Sequence, residues 1–292
     1  MRRERLEDLR GLIDTRLDAL APMADQTHPL LSQAVRYALL APGKRLRPTL
    51  ALLAAEQFGG KAAAALDPGC AIEMVHAASL ILDDLPCMDD ATLRRGQPAV
   101  HRRFGEDVAV LAAVALLNEA YGVIARADAL PAKARLRLVR TLSEAVGFDG
   151  LVAGQLKDLR ERRGVAGAAG LHELNRQKTG VLFIAAVEAG AVAGGATGAT
   201  LAAAQAFAEH LGSAFQILDD LVDATATRAQ AGKDVGQDAG KPTLVSLLGL
   251  DAARAEMSDR LSLALQSLDP GHRDGPLATF TDALFAPYRQ AA

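Results

Sequence analysis

Two stretches of this chain concentrate carboxylates in a pattern that could hold a hard metal ion. The pentapeptide Ile-Leu-Asp-Asp-Leu occurs at 81–85 and again at 217–221, with Asp89 and Asp90 following the first copy and Asp223 the second. Asp219 and Asp223 are one helical turn apart on one face, with Asp220 beside them. Like charges at that spacing destabilise a helix unless something positive sits there. Carboxylate oxygens suit magnesium, which keeps several waters and is completed by phosphate oxygens. The first copy has the longer spacing Asp83-Asp84-x4-Asp89, which on a regular helix would turn Asp89 away from Asp83. Pro86 removes a donor and crowds the carbonyl of Leu82. The helix is therefore expected to end or kink there and bring Asp89 back beside Asp83. One such acidic pair is ordinarily a solvated turn; two copies, each after a long apolar helix, weaken that explanation.

A metal-bridged diphosphate also needs cations, and the chain supplies them in compact groups. Gly43-Lys44-Arg45-Leu46-Arg47-Pro48 places three cations just before a helix expected to start at Pro48. A helix N-terminus with Lys and Arg beside it attracts anions. Arg94-Arg95-Gly96 follows the first acidic cluster, Lys178-Thr179-Gly180 lies within a helix, and Lys233 follows the second cluster. Each group alone reads as surface charge; their adjacency to acidic clusters and helix ends does not. His76 lies seven residues before Asp83 and Gln216 three before Asp219, so each shares a face with its aspartate. A lone His on an apolar helix is more often a satisfied core residue, and only this alignment favours a phosphate-facing donor. Gln155 and Asp158 form a further polar pair that lines the same cavity or belongs to a buried polar network.

These groups need helices to carry them, and the sequence supplies little else. Of 292 residues half are hydrophobic, Ala and Leu dominate, Trp is absent and Tyr occurs three times. Helical periodicity persists almost throughout. Helices are expected at 2–22, 28–41, 48–58, 67–84, 105–125, 131–146, 148–160, 168–192, 198–223, 242–249, 251–268 and 275–286. With no low-complexity linker, residues 1–292 read as a single all-α domain. The formal net charge of -3 gives no reason to expect nucleic-acid binding. The charged N-terminus does not resemble a signal peptide. The apolar stretch 181–208 contains Glu188 and a Gly-rich break, so it reads as two buried helices, not a transmembrane segment. Cys70 and Cys87 make no disulfide framework or metal-ligand spacing, and a reducing cytoplasm is the expected compartment.

The stretch from His76 to Asp90 with Leu93-Arg94-Arg95-Gly96, and that from Gly212 to Asp223 with Gly232-Lys233-Asp234 and Gly240-Lys241, closely resemble the trans-prenyltransferases. Within that family the resemblance is to bacterial geranylgeranyl diphosphate synthases of carotenoid pathways, and it covers about residues 30–250. It implies an all-α bundle of ten or more helices around a deep central cavity, normally a homodimer. It implies that Asp83, Asp84 and Asp89 face Asp219, Asp220 and Asp223 and hold magnesium, about three ions per site, on an allylic diphosphate. Arg94, Lys178, Thr179, Gln216 and Lys233 match positions that contact that diphosphate, Arg94 and Lys178 counting with the aspartates as catalytic. Lys44, Arg47, His76 and Arg95 match those that hold isopentenyl diphosphate. The implied reaction is head-to-tail condensation of isopentenyl diphosphate with dimethylallyl, geranyl or farnesyl diphosphate.

Ala78 and Ser79, about one turn before Asp83, are expected to point into the cavity where the growing tail lies. Both are small, which favours a geranylgeranyl product, with farnesyl diphosphate as the alternative. A terpene cyclase would not need the Lys44, Arg47 and Arg95 group. A non-catalytic partner subunit would be expected to lack part of a motif, and neither motif is broken. A helical scaffold protein would bind no magnesium-dependent ligand.

Overall fold

The structure is a computed structural model and describes residues 3–23, 28–161, 164, 167–225 and 242–289. Its helices are α1 (Arg3–Leu20), α2 (Pro29–Leu39), α3 (Leu46–Gln57), α4 (Leu66–Asp83), α5 (Val100–Phe104), α6 (Glu106–Ala125) and α7 (Ala132–Val146). They continue with α8 (Leu151–Arg160), α9 (Gly167–Asn175), α10 (Val181–Ala193) and α11 (Gly198–Thr225). The last three are α12 (Leu244–Leu248), α13 (Leu250–Ser267) and α14 (Pro276–Arg289). The all-α expectation holds, and most boundaries fall within one helical turn of those anticipated.

Helices that are apolar all round belong in the middle of a bundle. α10 is the clearest case: Val181–Phe183 and every residue from Ala185 to Ala191 are buried, Glu188 included. It packs against α3, α4, α7 and α11, while α4 packs against α3 and α6. Glu188 is tolerated there because Arg137 Nε, Thr141 Oγ1 and Gln205 Nε2 all donate to it, at 3.0, 3.0 and 2.7 Å. Small side chains set how closely these helices approach. A β-carbon on Gly190 would lie 2.1 Å from the carbonyl oxygen of Ala51 on α3. The apolar stretch after residue 180 is indeed two helices, α10 and α11, separated by a glycine turn.

Four local features depart from the expected helices. α3 begins at Leu46, not Pro48, with Arg45 before it in the left-handed conformation (φ 48°). Pro48 sits in the first turn, where its missing donor costs no hydrogen bond. Residues Leu93–Arg94 (β1) and Gln97–Pro98 (β2) form an antiparallel hairpin. Its turn residues Arg95 and Gly96 both have positive φ, as the tightest hairpins require. Two-residue strands are too short to leave an alternating pattern. α5 is likewise a single short turn of helix. The expected helix 168–192 is interrupted by a π-helical turn at Arg176–Gly180.

The α3–α10 contact is testable. Gly190→Ala forces two backbones apart, a type of overpacking that costs about 1–3 kcal/mol. Ala's better helix propensity returns only about 1 kcal/mol. Thermal melts should show a lower transition temperature; an unchanged or higher one would mean that the helices separate freely.

Candidate active site

The polar ends of α4 and α11 open on one cavity of about 590 Å³. Asp83 and Asp219 line it together with Lys44, Arg47, His76, Arg94, Arg95, Lys178, Thr179 and Gln216. Leu80, Leu151, Leu182 and Phe215 supply an apolar wall. Residues from five separate chain segments, identified in the sequence by charge and spacing, thus border one space.

The first acidic motif folds as Pro86 dictates. α4 ends at Asp83, and the Asp89 N–H donates to the Asp83 carbonyl at 2.9 Å. The N–H groups of Asp90 and Ala91 return to Leu85 and Asp84 in the same way. This curl brings Asp89 back beside Asp83. In the second motif, Gln216, Asp219 and Asp223 share a face of unbroken α11, with both aspartates exposed.

The second aspartate of each pair behaves differently from the first. Asp84 is 2% exposed and does not border the cavity. It accepts from Arg94 through Nε at 2.9 Å and Nη2 at 2.5 Å, a forked ion pair that fixes the guanidinium at the cavity edge. Asp220 is buried too; it accepts from Gln216 Nε2 at 3.1 Å and from the Leu244 N–H at 3.2 Å. Gln216 in turn accepts from Thr179 Oγ1 at 3.0 Å. Asp220 therefore orients Gln216 and Thr179 and ties the start of α12 to α11. A helix rotates about 100° per residue, and here that step turns Asp84 and Asp220 away from the cavity that Asp83 and Asp219 border.

The same rotation corrects the expectation for Ala78. Ser79 borders the cavity, but Ala78 is fully buried in the packed core. Four residues before Asp83 returns to the same face; five residues is about 140° away.

The π-turn presents Lys178 and Thr179. Its widened ring closes with the Val181 N–H donating to the Arg176 carbonyl. Helix α8 approaches so closely that a β-carbon on Gly154 would lie 2.5 Å from the Lys178 nitrogen. Lys178 Nζ donates to Asp158 on α8 at 2.5 Å. Asp158, ambiguous in the sequence, is thereby a supporting residue of the site. Gln155 does not border the cavity, and its Nε2 is buried without a hydrogen-bond partner. Lys233 lies outside the described residues.

The electrostatics fit a substrate that brings both cations and anions. Burial pushes the Asp83 carboxyl up to about 6; Asp89 and Asp84 add to that push, while Lys178 and Arg94 oppose it. Even with two cations near, this carboxylate is short of positive charge. On the other side, burial lowers Arg47 to about 10, with Arg95 reinforcing the shift and Glu73 and Asp219 opposing it. Arg47 Nε is buried without a partner, a donor suited to an anion. Burial and the surrounding Arg47, Arg95, Arg94 and Arg45 hold His76 well below its usual range, so it is a neutral imidazole at neutral pH. Among the described residues, no group of three or more His, Cys, Asp or Glu is arranged to hold a metal unaided. Magnesium is commonly bound by one or two carboxylates with phosphate and water completing the shell, and these aspartates fit that use.

The chain matches the polyprenyl synthetase family model over residues 28–274. It belongs to that family. The expectation drawn from the two aspartate motifs therefore holds. Over 275 residues the chain is 46% identical to a geranylgeranyl diphosphate synthase of Pantoea ananas, covering 94% of this chain and 90% of the relative. It is 45% identical to the enzyme of the same name from Pseudescherichia vulneris, covering 89% and 84% of the two chains. Among solved structures, a Helicobacter pylori geranyltransferase complexed with magnesium and isoprenyl diphosphate matches with TM-score 0.85 and 29% identity, covering 97% of this chain and 96% of that one. An apo FPP/GFPP synthase from Zymomonas mobilis matches with TM-score 0.84 and 34% identity, over 96% and 97% of the two chains.

The raised Asp83 carboxyl gives this polyprenyl synthetase a signature in metal-free solution. Its folded value near 6 stands above the ordinary 3.8. Protonated in both states at low pH, Asp83 costs nothing there; the cost grows as pH rises from 3.8 to about 6 and persists above. In chelator, Asp83→Asn should therefore raise the melting temperature by a few degrees at about pH 8 and by much less at about pH 4. A gain confined to acidic pH would contradict the assignment.

Proposed function

We propose that this chain is a magnesium-dependent prenyltransferase that condenses isopentenyl diphosphate head to tail with allylic diphosphates and releases geranylgeranyl diphosphate. The observation that carries the reading is the shared cavity, where Asp83 and Asp219 stand with Lys44, Arg47, Arg94, Arg95 and Lys178. The two bacterial relatives named as geranylgeranyl diphosphate synthases support the product.

Asp83 and Asp89 from one motif, and Asp219 and Asp223 from the other, are the proposed magnesium ligands, for about three ions. Asp84 and Asp220 complete each motif by holding Arg94 and Gln216. Bound magnesium supplies Lewis-acid stabilisation of the charge that develops on the departing diphosphate. Lys178, held by Asp158, and Arg94, held by Asp84, add preorganised positive charge at that leaving group. Thr179 and Gln216 orient it by hydrogen bonds, and Lys233 belongs with them by its place in the motif. Lys44, Arg47 and Arg95 bind isopentenyl diphosphate, with neutral His76 as a hydrogen-bond partner. Leu80, Leu182 and Phe215 present no nucleophile and exclude water from the allylic cation. Released diphosphate is the proposed acceptor of the proton lost on forming the new double bond.

The chain is proposed to act as a homodimer. α6 exposes Val110, Leu111 and Val114 on one stripe, and Phe148, Val152 and Leu156 repeat the pattern across the start of α8. Residues 1–292 are taken as one catalytic domain. The cytoplasm is the proposed compartment, in keeping with two free cysteines.

Purified protein given magnesium, isopentenyl diphosphate and dimethylallyl diphosphate should make a twenty-carbon product, sized by chromatography after dephosphorylation. A fifteen-carbon product would assign farnesyl diphosphate instead. Asp83→Ala or Asp219→Ala should lower kcat by at least about a hundredfold while circular dichroism stays unchanged. Near-normal turnover in either would sink the metal assignment. Ser79→Phe, one turn below Asp83, should shorten the product; an unchanged chain length would place the cavity floor elsewhere.

A further inference from the structure

The proposed isopentenyl half of the cavity contains an anion that the functional reading leaves without a role. Glu73 lies on α4, one turn before His76, and is 2% exposed. A buried carboxylate repels the diphosphate that this half-site is proposed to bind, so its presence needs a compensating effect. Its contacts provide one. Arg45 Nη1 lies 3.0 Å from Glu73 Oε1, and Arg95 Nη2 lies 3.8 Å from the same oxygen. Arg45 Nη2 and Arg95 Nη1 also share the Ala41 carbonyl, at 3.1 and 3.3 Å.

The two arginines come from separate loops, one leading into α3 and the other at the tip of the β1–β2 hairpin. Both take the left-handed backbone conformation, with φ of 48° and 54°. Non-glycine residues adopt it only against steric strain and keep it only when their surroundings over-determine it. Here the surroundings are Glu73 and the Ala41 carbonyl. Arg45 is almost entirely buried and also donates to Asp14 at 2.8 Å, so it acts as a structural link. Both arginines border the cavity, and Arg95 is the more exposed of the two. Its neighbours Lys44 and Arg47 are each within two residues of Arg45.

We propose that Glu73 is the positioning residue of the isopentenyl diphosphate half-site, joining the 41–47 loop to the β1–β2 hairpin through Arg45 and Arg95. The inference rests on the proposed function for the identity of that ligand. Glu73 makes no productive contact with substrate. It neutralises Arg45, sets the reach of Arg95, and lets Lys44, Arg47 and Arg95 stand together before the diphosphate arrives. A preassembled set of cations binds more tightly than one that must be ordered on binding.

The test is steady-state kinetics with each substrate varied, on Glu73→Gln, Glu73→Asp and Lys44→Ala. Glu73→Gln should raise KM for isopentenyl diphosphate by about tenfold or more while KM for the allylic substrate stays within about twofold. Glu73→Asp keeps the charge but withdraws it by one methylene, and should recover part of the loss. Folding of each variant is checked by thermal melt; if the glutamine variant does not fold, the aspartate variant carries the same expectation at smaller size. An unchanged KM for isopentenyl diphosphate in a folded Glu73 variant, or equal rises for both substrates, would overturn the role of Glu73. Lys44→Ala separates the two layers of the argument. If it leaves KM for isopentenyl diphosphate unchanged, the half-site assignment itself fails; if it raises KM and Glu73→Gln does not, only the positioning role fails.

Discussion

Charge held at the ends of apolar helices is the constraint on which this structure depends. The bundle buries most of α4 and α10, so polar residues at the cavity side sit against a low-dielectric wall. There an unpaired charge is costly, and a paired one is fixed in place. Three buried carboxylates meet that requirement by taking a cation each: Asp84 with Arg94, Asp158 with Lys178, and Glu73 with Arg45. In the first two pairs the cation borders the cavity and the carboxylate is buried behind it; in the third both side chains are buried, and Arg95, 3.8 Å from the same Glu73 oxygen, is the more exposed cation at the cavity. The buried carboxylate thus determines where the working cation stands.

Asp83 breaks this rule, and that exception is informative. It is buried enough to be pushed up to about 6, even with Lys178 and Arg94 in range. Its environment calls for more positive charge than the chain supplies. Arg47 shows the opposite deficit, with a buried donor and no acceptor. A ligand that brings divalent cations to the first and phosphate oxygens to the second satisfies both at once. Local destabilisation of the unliganded site is then the counterpart of strong binding, a familiar trade at active sites.

Backbone irregularity is concentrated around the same space. The left-handed residues Arg45 and Arg95, the curl after Asp83 and the π-turn at 176–180 all lie beside the cavity. Regular helices carry the core, and each departure turns a charged side chain toward one point. Gly154 has a corresponding role on α8, because any side chain there would collide with the turn that presents Lys178.

The sequence alone determined the helices, since hydrophobic periodicity, prolines and glycines act over a few residues. It also determined the two acidic motifs, and Pro86 was sufficient to foretell the return of Asp89 toward Asp83. Family membership was legible for the same reason: the residues that carry it are contiguous. Which neighbour of each pair faces the cavity was left to the packing of the helices. Ser79 and not Ala78, and Asp83 and not Asp84, border that space because a step of one residue rotates a side chain by about 100°. Glu73 and Asp158 gave little signal, because their partners lie 28 and 20 residues away in the chain. The only hint was their spacing on a helix face already marked by other polar residues. Contacts between distant segments are set by how the helices pack, and local pattern carries no record of them.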